Sequence, residues 1–259
     1  MNLNITDNLF IVGGATSGLG LAIANALIAE GANIIAIARQ EDGLKNLQLA
    51  APNKVQYVVG NLTENTTEII MACDVLIGKK TLTGLLINAG GPPAKTILET
   101  TLQDWDDAYK NILRWKVQFI KHYAPKLIQQ NYGRILCIES SAVKQPLENL
   151  VLSNSLRLAV VGFVKTLSQE IASTGVTVNI IAPGAHNTPA INRLYLKKSE
   201  QTGLPFDETK INAIKQIPVN TLGEADDFAS LAIWLLSPLS KYVTGQTYSL
   251  DGGAVKSTL

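Results

Sequence analysis

Seven short apolar runs, each closed by turn residues and separated by longer amphipathic stretches, limit this chain to one broad class of fold. They are LFIVGG (9–14), NIIAIA (33–38), VQYVV (55–59), LTGLLINAG (82–90), GRILCIES (133–140), VTVNIIAPG (176–184) and TGQTYSLDGG (244–253). Apolarity that is continuous rather than alternating is what a strand buried on both faces shows. Helix-like segments fall at 18–30, 104–129, 153–173 and 224–236, the last opening on GEADDF with acids near a helix start. Strand, helix, strand repeated in this way implies right-handed crossovers and predicts an α/β architecture, a doubly wound parallel sheet with helices on both faces. No internal repeat, low-complexity tract or linker divides the chain, so residues 1–259 are expected to form one domain. Residues 189–217 break the alternation with a long polar, partly amphipathic excursion. Its position past a strand end fits a lid over a ligand, and a solvated pair of surface helices fits its composition equally.

Charge narrows the partners. Lys plus Arg number 22 against 21 Asp plus Glu, a formal charge of +1, with no basic tail or acidic block. Nucleic acid and anionic membrane are therefore not expected as partners. Cys73 and Cys137 stand far apart without a CxxC or a Cys/His cluster. Neither a disulfide scaffold nor a metal site is expected, and a reducing, cytoplasmic setting fits best. Apolar segments such as LAIANALIAEGANIIAIA are broken by Asn25, Glu30, Gly31 and Asn33, and the chain reads without a signal peptide or a membrane span.

The first apolar run leads straight into GGATSGLG, Gly13 to Gly20, and then into LAIANALIAEG. Glycines at a strand-to-helix turn permit positive φ and close backbone approach, so amides at the helix start can meet a pyrophosphate. The spacing Gly14-xxx-Gly18-x-Gly20 differs from the GxGxxG of the ordinary dinucleotide fingerprint. Three further motifs follow in order: Ile87-Asn88-Ala89-Gly90, then Pro183-Gly184-Ala-His-Asn-Thr188, then the closing TGQTYSLDGG.

With these four motifs nearly the whole chain resembles the short-chain dehydrogenase/reductase family, whose fold is a single Rossmann-type domain. Gly13 replaces the usual Thr of the family's TGxxxGxG. The resemblance implies a cofactor site made by Gly14, Thr16, Ser17, Gly18, Leu19 and Gly20, by Asn61 and Leu62 near the adenine, and by Asn88, Ala89 and Gly90 along the cofactor's middle. Pro183, Gly184 and Thr188 would border the nicotinamide end, and Arg157 would reach the ribose. Arg39, after the second run, would face the adenosine ribose, where a guanidinium suits a 2′-phosphate and a carboxylate suits a 2′-hydroxyl. NADP(H) is therefore expected in preference to NAD(H), the plainer alternative being an exposed loop arginine.

The resemblance also locates a catalytic stretch, and there the chain departs from the family. RILCIES matches the strand ending in the catalytic serine, here Ser140. The family's tyrosine and, four residues later, its lysine fall on Ser153 and Arg157, in a register anchored downstream by AVVGFVKTLSQE. No tyrosine occurs between Tyr132 and Tyr195. Positions i and i+4 share a helix face, so Ser153 and Arg157 should face one side together. Serine is shorter than tyrosine and far harder to ionise, and arginine donates without relaying protons. Ser153 also suits a helix N-cap, Arg157 a surface arginine whose stem covers apolar neighbours, and Ser140 a merely polar strand end. The family's asparagine falls on Ile112, with Asn111 one step, about 100° of helix rotation, away unless a bulge intervenes.

Other proton donors are few. His122 reads as a surface residue, whereas His186 lies in the Pro183–Thr188 loop beside the expected nicotinamide. Glu139 precedes Ser140, and both can serve one pocket only at a bulge or strand end. The leading expectation is an NADP(H)-dependent oxidoreductase resembling the 3-oxoacyl-(acyl-carrier-protein) reductases, acting on a small-molecule carbonyl or alcohol, with Ser140, Ser153 and Arg157 as its catalytic set. The rival is a catalytically inactive NADP(H)-binding sensor or assembly protein on the same fold. A third reading keeps hydride transfer for C=C reduction or for an oxidation. The closing segment resembles the family's intersubunit end, which implies a homo-oligomer, a tetramer or a dimer.

Overall fold

The computed structural model describes residues 1–258. In chain order its regular elements are β1 (Leu9–Gly13), α1 (Gly18–Ala29), β2 (Asn33–Ala38), α2 (Glu41–Ala50), β3 (Val55–Val59), α3 (Thr66–Ile77), β4 (Leu82–Ile87) and α4 (Leu102–Ala108). There follow α5 (Trp115–Gln129), β5 (Gly133–Ile138), α6 (Val151–Ile171), β6 (Val176–Pro183), α7 (Pro189–Thr202), α8 (Phe206–Ile214), α9 (Ala225–Leu235) and β7 (Thr247–Leu250). The strands form one seven-stranded sheet in the order β3-β2-β1-β4-β5-β6-β7, and every neighbouring pair is parallel. The chain reverses direction of travel across the sheet between β1 and β4, and in such sheets ligands bind outside the carboxyl ends of the strands at that switch.

The uninterrupted apolar runs are explained by two cores. Ile11, Ile35, Leu85, Ile135 and Cys137 point to one face, where α3, α5 and α6 pack. Their neighbours Phe10, Val12, Ile34, Leu86, Leu136 and Ile138 point to the other, covered by α1, α2 and α9. Alternate residues thus feed opposite cores, and the few polar residues in the central strands, Thr83, Arg134, Thr177 and Asn179, are buried with them. Cys73 and Cys137 are free and buried, and burial pushes both thiols up to about 12. Among the described residues no helix is long and apolar enough to cross a membrane.

Several elements differ from expectation. Helices α2 and α3 were not anticipated; α2 buries only Leu44 and Leu47, too narrow a stripe to stand out by period. The closing strand is confined to Thr247–Leu250. The excursion 189–217 is a pair of helices, α7 and α8, whose helical residues bury little beyond Tyr195 and Thr209 while leaving Leu194, Leu196 and Ile211 exposed. The long helix expected over 104–129 is interrupted: α4 runs into a π-helical turn, Tyr109–Arg114, before α5 begins. α4 itself is nucleated by a reciprocal box in which Thr101 Oγ1 accepts from the Asp104 N–H and the Asp104 carboxylate accepts from the Thr101 N–H. Lys95 and these Thr101 bonds hold the Asp104 carboxyl down to about 2.

Candidate active site

At the carboxyl end of β1 the glycine turn leaves no room for side chains. Gly14 and Gly18 take φ of 65° and 51°. A Cβ on Gly20 would lie 2.2 Å from the Gly14 carbonyl oxygen, and one on Gly14 would lie 2.7 Å from Asn88 Nδ2. Asn88 Nδ2 donates to the Gly13 carbonyl at 3.3 Å, tying the end of β4 to the turn. α1 then starts at Gly18 with no side-chain cap from Ser17 and no acidic residue in its first turn. Its leading N–H groups are therefore left for an anion, as a pyrophosphate requires. Thr16 is half-buried beside Gly43, Leu19 is half-buried, and Thr188 packs on Gly18 from the far side of the cleft. Gly20→Ala is expected to cost about 1–3 kcal/mol of stability through this overlap, read by thermal melting.

The flanking positions follow the same edge. Arg39 is exposed immediately after β2 and has no hydrogen-bond or ion-pair partner among the described residues. After β3, Asn61 Oδ1 accepts from the Thr63 N–H and hydroxyl, which leaves its Nδ2 group to donate, while Leu62 is buried under Gly13. Ala89 is half-buried and Gly90 exposed. Pro183 closes β6, and Gly184 lies against Asp251, where a Cβ would come within 2.6 Å of the Asp251 Cβ.

The stretch from β5 to α6 holds the main departure from expectation. β5 ends at Ile138, but the Glu139 N–H still donates to the Ile181 carbonyl and prolongs the ladder by one residue. Strand alternation therefore turns Glu139 to the same face as Ile135 and Cys137, towards α5 and α6. There its carboxylate receives Lys116 Nζ from α5 on one oxygen and Arg157 Nη1 from α6 on the other, the latter at 3.0 Å. Arg157 Nε donates to Ser153 Oγ at 3.1 Å, so Ser153 and Arg157 do share a face. The side chains of Lys116, Glu139 and Arg157 are 4%, 0% and 11% exposed. Two cations and one anion are thus buried together.

Ser153 is not an N-cap: Leu150 occupies that position, and Ser153 lies in the first turn of α6 because the helix begins two residues earlier than expected. Arg157 is not a surface residue, since Glu139 draws it inward. The π-helical turn supplies a bulge at Asn111, yet Asn111 lines a surface cavity with Thr63, Thr66, Arg114 and Gln118, a cavity bordered by none of Ser140, Ser153 and Arg157. Ile112 is in the core. Ser140 caps the short 141–143 turn, its Oγ accepting from the Ala142 N–H at 3.2 Å, and makes no hydrogen bond to Ser153 or Arg157 among the described residues.

The two histidines separate as well. His122 pairs with Asp74 on the surface at 2.8 Å. His186 is buried edge-on against Phe228 with Nδ1 3.2 Å from the Gly184 carbonyl oxygen, packed as wall rather than presented to a substrate. Lys116 was missed in the sequence. Its signal was a lone lysine four residues after Ile112 on the stripe continued by Ile120 and Tyr123, a position that burial forbids unless an acid meets it.

A glycine turn opening a helix at the switch point of a parallel sheet, with polar residues gathered at the neighbouring strand ends, defines a Rossmann-type dinucleotide-binding protein. A family model described as enoyl-(acyl carrier protein) reductase matches residues 14–255, and the chain belongs to the short-chain dehydrogenase/reductase family. It is similar to the 3-oxoacyl-(acyl-carrier-protein) reductase of Buchnera aphidicola, 29% identical over 252 residues that cover 97% of this chain and 98% of the relative. The Salmonella typhimurium reductase of the same name is 27% identical over 266 residues, with coverage of 97% and 98%. Among solved structures, L-sorbose reductase from Gluconobacter frateurii, complexed with NADPH and L-sorbose, is 25% identical with a TM-score of 0.91, covering 99% of this chain and all of that one. Actinorhodin polyketide ketoreductase with NADPH is 26% identical with a TM-score of 0.90, covering 96% and 98%.

Proposed function

We propose that this chain is an NADP(H)-dependent oxidoreductase of the 3-oxoacyl reductase kind. In it Ser140 keeps the place of the family's serine, while the Ser153 hydroxyl and the Arg157 guanidinium serve where a tyrosine and a lysine usually stand. The observation that carries the reading is the union of an uncapped, side-chain-free phosphate cradle at β1 with a polar cluster beyond β5 on the same edge of the sheet. Gly14, Thr16, Ser17, Gly18, Leu19 and Gly20 would hold the pyrophosphate, Asn61 Nδ2 the adenine edge and Arg39 the 2′-phosphate. Asn88 to Gly90 and Pro183 to Thr188 would flank the rest. When bound, the nicotinamide cofactor supplies or accepts the hydride.

Ser140 would donate its hydroxyl proton to the substrate oxygen, since its lone pair already accepts from Ala142. Ser153 Oγ accepts from Arg157, which likewise leaves its proton for donation. Arg157 has donors but no acceptor and supplies field rather than relaying a proton, so the proton balance of turnover falls to the hydroxyls and water. α7 and α8 would cover the substrate, and the exposed Leu98, Leu102 and Leu158 suit burial in a homo-oligomer. Two buried free thiols suit the cytoplasm.

Ser153 at the position of the family's tyrosine, with no tyrosine between Tyr132 and Tyr195, favours a second reading, a cofactor-binding protein without turnover. NADPH titration followed by a carbonyl screen separates the two: protein-dependent NADPH oxidation supports the first, binding without oxidation the second, and no binding removes both. Within this scheme Arg39→Glu is expected to weaken NADPH by about 10- to 100-fold, the value of one charge-assisted bond, and to leave NADH within about threefold. Equal loss of both cofactors would remove Arg39 from phosphate recognition.

A further inference from the structure

The charge count beneath Ser153 does not close. Lys116 and Glu139 neutralise each other, so the guanidinium of Arg157 keeps a net positive charge although it is nearly buried. Arg157 forms no second ion pair among the described residues. A buried uncompensated cation is costly, and it is kept where a ligand brings the missing anion.

The donors of Arg157 point the same way. Nε is taken by Ser153 and Nη1 by Glu139, which fixes the plane of the guanidinium. Nη2 faces the exposed loop at Gly91, where a Cβ would stand only 3.0 Å away. Glycine at 91 therefore spares Nη2, which makes no hydrogen bond among the described residues, a side chain against it, and Gly90 beside it has no neighbour in its Cβ direction. A free guanidinium nitrogen, with the Ser153 hydroxyl proton at its side, offers two donors and a positive charge to a carboxylate. Neutral ribose hydroxyls could take the hydrogen bonds, but they would leave the charge unmet.

We infer that Arg157 and Ser153 form a carboxylate-binding subsite, so that the substrate of the proposed oxidoreductase carries a free carboxylate. Its place in catalysis rests on that function; the binding itself does not. Lys116 touches no ligand here. It acts by cancelling Glu139, which would otherwise cancel Arg157.

The probe is oxamate, a small carboxylate, with neutral oxamide as its control, each titrated calorimetrically into the protein with and without NADPH. Oxamate is expected to bind and oxamide not. Lys116→Met should weaken oxamate by roughly tenfold, because Glu139 then neutralises Arg157. Lys116→Met/Glu139→Gln restores the net charge and should return oxamate to within about threefold of the parent. A purely structural ion cluster gives no oxamate binding, or equal binding of oxamate and oxamide, and overturns the inference. A double variant as weak as Lys116→Met overturns it too. Should the single variant fail to fold, the oxamate and oxamide comparison and the double variant still decide. NADPH oxidation with a carbonyl compound but no oxamate binding removes this inference alone, whereas oxamate binding without NADPH binding removes the oxidoreductase reading and leaves the subsite.

Discussion

Glu139→Ala is expected to lower the stability of the fold by about 3–5 kcal/mol, the usual consequence of breaking a buried charge cluster by removing its shared partner. The carboxylate is wholly buried and is the partner of both Lys116 and Arg157. Without it, Lys116 has no acceptor among the described residues, and the two cations repel across the space that the carboxylate filled. For a chain of this size such a loss corresponds to a melting-point drop of roughly 10 °C. Urea unfolding checks it: the midpoint should fall with an unchanged slope. Lys116→Met/Glu139→Gln, which removes the interior pair together, should cost far less, since a buried pair replaced as a unit is often nearly neutral. A loss below about 1 kcal/mol for Glu139→Ala would mean that water reaches the cluster and screens it as it does a surface pair.

That cluster also marks where sequence reading stops. The strands were legible because a strand buried on both faces is mostly apolar without alternation, and the runs at 33–38 and 55–59 end where the strands end. The glycine turn was legible because each glycine answers a steric demand: Gly20 lies under the Gly14 carbonyl, and Gly14 under Asn88. Arg157 and Ser153 were legible as a pair from i,i+4 spacing, but not the direction in which Arg157 turns. That direction depends on Glu139 and Lys116, 18 and 23 residues apart from their partners along the chain and brought together only by packing α5 and α6 on β5. Parity along GRILCIES already turns Glu139 towards the face of Cys137. What one chain does not reveal is which helices cover that face. The π-helical turn at Tyr109–Arg114 is a second example, because an inserted residue shifts the helix phase without leaving a mark in composition.

Ser140→Ala is expected to reduce kcat/KM for NADPH-dependent carbonyl reduction by about 10²- to 10³-fold, the cost of deleting one preorganised donor to a developing oxyanion. The hydroxyl is preorganised by the Ala142 N–H, which occupies a lone pair and leaves the proton to point outwards. In a site with a phenol such a deletion is buffered by the stronger acid. Here no tyrosine stands between Tyr132 and Tyr195, and the remaining candidate, Ser153, has its oxygen held by Arg157. The loss should fall on kcat and kcat/KM alike, because the bond strengthens as charge develops on the substrate oxygen rather than when substrate binds. NADPH affinity should be unchanged, which separates this effect from a disturbed cofactor site. Ser153→Ala should cost less, since Arg157 keeps its Glu139 bond and still supplies field. If Ser140→Ala turns over within about threefold of the parent, the proton comes from water, and Arg157 rather than either serine is the group that stabilises the transition state.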